Sequence, residues 1–92
     1  MSPDDTTANE VRYTVDVNPE VAFSIIYDDD RGRLVFSIEV GDDPKLIFLN
    51  PRPSDGNHMV DARDEATQAR IGLAVRRVTA YFNAKGLNVE ID

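Results

Sequence analysis

The chain has 92 residues, a formal net charge of −7, 41% hydrophobic side chains and no cysteine, which leaves room for one domain of the usual ~100–200-residue class and excludes a disulfide framework, a zinc–thiolate centre and a cysteine nucleophile. The charge is uneven, with eleven acids and four bases over residues 1–50 and six of each over residues 51–92, a balance that argues against nucleic-acid binding and favours a basic or cationic partner. No apolar run approaches the ~18 residues of a membrane span, and the polar start Met1-Ser2-Pro3-Asp4-Asp5 does not read as a signal peptide, so a cytoplasmic protein that does not engage a membrane is expected.

Residues 1–9 carry almost no apolar side chain and are expected to form a disordered tail ahead of a single domain over 10–92. From Val11 the pattern alternates, with Val11, Tyr13, Val15 and Val17 on one face, which predicts a half-buried strand that ends at Asn18-Pro19. Val21, Phe23, Ile25 and Tyr27 resume the alternation and predict a second strand, closed by the charged turn Asp28-Asp29-Asp30-Arg31-Gly32. Leu34, Phe36, Ile38 and Val40 make a third strand, turned at Gly41-Asp42-Asp43-Pro44, and Leu46-Ile47-Phe48-Leu49 reads as a fourth, apolar on both faces. The run from Pro51 to His58, with two prolines and a glycine, predicts an irregular loop.

Asp61 is placed to cap a helix over 61–85, with Asp64 and Glu65 in its first turn, Arg76, Arg77 and Lys85 towards its far end, and Gly86 just beyond. Ile71, Ala74, Val75, Val78 and Phe82 have the spacing of a core-facing stripe. Leu87, Val89 and Ile91 then alternate as a last strand reached by a crossover. The order ββββαβ predicts a two-layer α+β fold, an antiparallel four-stranded meander followed by one long helix and a final strand, with the helix on one face. A helix of that length, about 38 Å, overhangs a sheet whose diagonal is about 31 Å. It is also too narrow to cover the apolar face of five strands, so uncovered area is expected, to be buried by a second copy, a protein partner or the tail and loop.

Chemistry-bearing motifs are weak. His58, near Asp55 and Asp61 and at the predicted sheet end that also holds the 28–30 turn and Asp92, is the one candidate centre for a metal or an acid/base pair. It lacks the second histidine or glutamate at helical spacing that a metal site uses. Ser24, Ser37 and Ser54 have no histidine fixed beside them and no nucleophile-elbow frame. Asp28, Asp30 and Glu39 mimic the ends of a calcium loop, but Gly32 and Arg33 occupy the wrong positions and strands flank the window. Arg31–Ile38 resembles the opening of the RNA-recognition sheet motif, yet the positions that would carry stacking aromatics are Arg33 and Val35. The five glycines are isolated, so no phosphate loop forms.

No catalytic residue, metal ligand or cofactor site is therefore assigned. The expected function is that of a small acidic interaction or regulatory domain without catalytic activity, self-associating as a homodimer or binding a protein partner through uncovered sheet surface. Partner contacts are assigned to Arg52, His58, Arg63 and Arg70 and to Asp28, Asp29 and Asp30, the arginines forming a strip that would meet the acidic turn of a second subunit. The alternatives are a metal- or acid/base-dependent activity centred on His58, and weak nucleic-acid binding through the helix arginines.

Overall fold

A computed structural model describes residues 12–92. Five strands, β1 (Thr14–Val17), β2 (Ser24–Asp29), β3 (Gly32–Val40), β4 (Leu46–Leu49) and β5 (Asn88–Ile91), make one mixed sheet, with a single helix, α1 (Glu65–Ala84), between β4 and β5. Strand order across the sheet is the order along the chain; the pairs are antiparallel up to β4, and β4 and β5 are parallel. The fold is α+β with the ββββαβ order of the sequence pattern. The expected tail over 1–9 and the start of the first predicted strand at Val11 lie outside the described residues.

Register explains the core. Val15 pairs with Tyr27 and Tyr27 with Leu34, Val17 with Ile25 and Ile25 with Phe36, and Ile38 with Leu49 and Leu49 with Ile91, so these side chains share the helix-facing side. Ile71, Ala74, Val78 and Phe82 project from α1 onto this face and are buried with Ile25, Tyr27, Leu34, Phe36, Ile47 and Leu49.

Three boundaries depart from the periodicity. β2 starts at Ser24 rather than Val21, because Phe23 adopts φ 57 and breaks the extended run. Asn18 organises this turn: its Oδ1 accepts the N–H groups of Glu20 and Val21, and its own N–H donates to the Ser24 carbonyl. Val21 and Phe23 are therefore exposed instead of lining the core.

The helix starts at Glu65, with Asp64 rather than Asp61 as its N-cap, accepting the Thr67 N–H at 2.9 Å. Both aspartates can cap; the later one is used because Val60 and Ala62 pack against the core from non-helical chain. At the other end the Gly86 N–H bonds to the Asn83 carbonyl and the Leu87 N–H to the Phe82 carbonyl, a Schellman closure that Gly86 permits at φ 80. At twenty residues, α1 is about 30 Å long and matches the sheet diagonal instead of overhanging it.

The run from Pro51 is also more ordered than its prolines imply. After β4 the chain continues along β3: the Asn50 N–H donates to Ser37, and Ser54 exchanges both backbone bonds with Val35. It then folds back through a tight turn in which the Asp55 N–H donates to the His58 carbonyl and Ser54 pairs with Met59. Pro53 is fully buried, so this segment covers part of the face that α1 leaves open.

Candidate functional site

The helix is fastened to β2 by a chain of polar contacts. Asp29, the last residue of β2, accepts Arg70 Nη2 at 2.7 Å and Arg70 Nε at 3.2 Å, and Arg70 Nη2 also reaches the Gly32 carbonyl. The Tyr27 hydroxyl donates to Asp29 at 3.1 Å and accepts Arg77 Nη1 at 2.8 Å. Arg77 in turn lies over the Tyr13 ring at 4.1 Å, and Tyr13 stacks on Tyr27 with ring centroids 5.8 Å apart. Burial pushes the Tyr27 phenol up, with Arg77 opposing and Asp29 reinforcing that shift. Burial would raise the Asp29 carboxyl as well, but the Arg70 guanidinium, the Arg31 N–H and the Tyr27 hydroxyl outweigh it and hold the group below the usual carboxylate range. At neutral pH the network is thus cation, neutral phenol, carboxylate, cation: Asp29 compensates Arg70, whereas Arg77 rests on the Tyr27 hydroxyl and the Tyr13 ring. It joins two layers and offers no free base or nucleophile.

The second feature is a groove of about 630 Å3 between α1 and the segment that precedes it. One wall is Pro51, Pro53, Met59, Val60 and Ala62; the other is Gln68, Ile71, Gly72 and Val75. Gly72 supplies no side chain, which leaves the helix wall low between Ile71 and Val75. The surface is mainly apolar and its size is that of a ligand or side-chain pocket. Arg52 is the one charged residue lining it, and among the described residues no carboxylate stands within ion-pairing distance of that guanidinium. Met59, on the outer rim, is 63% exposed.

No family model, curated protein or solved structure matches the chain.

The residues singled out in the sequence fall in separate places. Arg52 borders the groove. His58 is exposed at the tip of the 55–58 turn, where its backbone N–H, not its ring, engages the Asp55 carboxylate. That bond and the Asn57 N–H draw the Asp55 carboxyl below its ordinary range. Arg63 is exposed and closes on its neighbour Asp61 at 2.6 Å. In the acidic turn, Asp28 pairs with Arg33 across the β2–β3 hairpin at 3.1 Å, Asp29 holds Arg70, and Asp30 is exposed. The arginine–aspartate pairing expected between subunits is thus made by Arg70 and Asp29 within one chain. Among the described residues no three His, Cys, Asp or Glu side chains stand together as metal ligands.

Sequence reasoning missed two elements of this surface. By periodicity Tyr13, Tyr27 and Arg77 are only strand and helix positions; the available signal is a tyrosine repeated across a predicted hairpin, opposite a helix face rich in arginine. The groove was missed because Met59, Val60 and Ala62 precede the periodic part of the helix and follow a loop, where no period exists to read.

Proposed function

We propose that this chain is a small interaction domain, acting in the cytoplasm without catalytic chemistry of its own, which docks an apolar segment of a protein in the groove between α1 and residues 51–62. The observation that carries this reading is the lining of the groove: an apolar floor and walls beside one cation, Arg52, which among the described residues pairs with no carboxylate. Such a site favours a short segment that combines aliphatic or aromatic side chains with one carboxylate, the apolar groups supplying affinity and the Arg52 contact supplying orientation. Opposite charge would also be drawn to Arg52 over the distance of a Debye length, about 8 Å at physiological salt.

The test is amide chemical-shift mapping during titration with a blocked Glu-Leu-Leu-Phe tetrapeptide. Shifts are expected at Val60, Ala62, Ile71 and Val75, reduced when Arg52 is replaced by glutamate. Absence of groove shifts at millimolar peptide, or shifts confined to the opposite sheet face, overturns the reading.

A further inference from the structure

Among the exposed apolar side chains, Phe23 is held in place by its backbone. It is 63% exposed and sits at φ 57, a left-handed conformation that disfavours a bulky side chain. The turn around it is fixed on both sides: the Phe23 carbonyl accepts the Ile38 N–H at 2.9 Å, the Asn18 N–H bonds to Ser24, and the Asn18 side chain secures Glu20 and Val21. A strained conformation that surrounding bonds impose, and that directs an aromatic ring into water, has the character of a preformed anchor. The same turn places Val21, 56% exposed, and the exposed acid Glu20 beside it. Glu20-Val21-Ala22-Phe23 is thus two large apolar side chains and a carboxylate on a rigid protrusion.

That is the segment chemistry for which the groove is built. We infer that the occupant of the groove is the Glu20–Phe23 turn of a second copy of this chain, with Phe23 seated between Ile71, Val75 and Met59 and Glu20 facing Arg52. The inference rests on the docking role proposed for the groove and adds the identity of the partner. Register sets the protrusion beyond the Ser24–Ser37 pair, while the 51–54 wall of the groove runs alongside Ser37 to Val35 on the other side of β3. Each copy offers one protrusion and one groove, so a twofold dimer exchanges both contacts and a head-to-tail array repeats one of them. One aromatic anchor in one groove is a small interface, so association belongs to the weak, transient class.

Sedimentation equilibrium from micromolar to millimolar protein reads this directly, with two variants chosen to remain folded. Phe23→Gly removes the ring and suits the left-handed backbone. Gly72→Glu fills the groove with a charge that repels Glu20; a Cβ there meets only Arg76 Nη1, at 3.9 Å. The expected result is a wild-type mass that rises with concentration above that of the protomer, with each variant weakened about tenfold or more. Mixed together, the variants should form a one-to-one heterodimer and nothing larger, since Phe23→Gly keeps its groove and Gly72→Glu keeps its protrusion. Self-association unchanged by Phe23→Gly, or a mixture of the two variants that forms no heterodimer, overturns the inference. So does a wild type that stays monomeric throughout; tetrapeptide shifts in the groove would then leave the docking role standing without self-recognition.

Discussion

Arg70 on α1 and Asp29 at the end of β2, forty-one positions apart in the chain, meet through two hydrogen bonds with side chains only 16% and 6% exposed. Both charges are largely withdrawn from water, and the pair is tolerable because each partner has further bonds, to the Gly32 carbonyl, the Arg31 N–H and the Tyr27 hydroxyl. Such a pair contributes little compared with an apolar substitute but is costly to halve. Asp29→Asn or Arg70→Ala should lower unfolding free energy by about 2–3 kcal/mol, since the remaining partner keeps its burial and loses its counter-charge. Urea denaturation of each single variant and of the double variant checks this, the double costing less than the sum.

The same contact sets a pH dependence. The folded-state value for Asp29 lies below the ordinary aspartate value of 3.8, so its stabilising contribution is complete above that value and is lost as pH falls through the lower folded one. Asp55, Asp61 and Asp64 are displaced in the same direction by their own hydrogen bonds. Stability should be flat from neutrality into the mildly acid range and fall below about pH 4. In Asp29→Asn the fall should be shallower, as measured by denaturant midpoint against pH.

Tyr27→Phe deletes the hydroxyl that links Arg77 to Asp29 without changing the ring that fills the core. A loss of about 1 kcal/mol is expected. Because the Tyr27 phenol is raised above 10.0, it should remain protonated in the folded protein where an ordinary phenol has ionised. Its contribution is full below the unfolded value and is lost as pH rises towards the folded one. Spectrophotometric titration of native wild type and Tyr27→Phe should differ only at the alkaline end.

Backbone strain at Phe23 can be separated from the ring. Glycine adopts φ 57 freely whereas alanine does not, so Phe23→Gly should be more stable than Phe23→Ala by about 1 kcal/mol. Equal thermal midpoints would show that the turn relaxes once the ring is gone.

Gly41 is constrained by space and not by φ. A Cβ there would lie 3.1 Å from Phe48 Cε2 and 3.2 Å from Leu46 Cδ2. Gly41→Ala should cost about 1 kcal/mol or more, with part recovered by Leu46→Ala in the double variant.

The elements that could be read from sequence are those whose side chains repeat. The alternation over Leu34–Val40 and the stripe Ile71, Ala74, Val78, Phe82 fixed a strand and a helix because burial itself has that period. Positions 20–23 alternate as well, but Asn18 diverts the backbone there, and side-chain capping leaves no mark on hydropathy. Asp61 and Asp64 are equivalent as caps in sequence; packing of Val60 and Ala62 distinguishes them. Arg52 and the acidic turn stand out in sequence as opposite charges expected to meet across a subunit boundary. That Asp29 faces Arg70 of the same chain depends on how α1 lies over the sheet, which no local pattern records.

Every hydrogen-bonded strand pair in this sheet joins consecutive strands, and three of the four are joined by turns. Little loop-closure entropy must be lost before the meander is assembled, and among the described strand pairs the one distant closure is the return of β5 to β4 through the helix. The closures of least entropic cost come first, with a nucleus expected in the β2–β3 hairpin and helix docking as a later event. On this view substitutions at Leu34 or Phe36 slow folding, whereas those at Arg70 or Arg77 chiefly hasten unfolding.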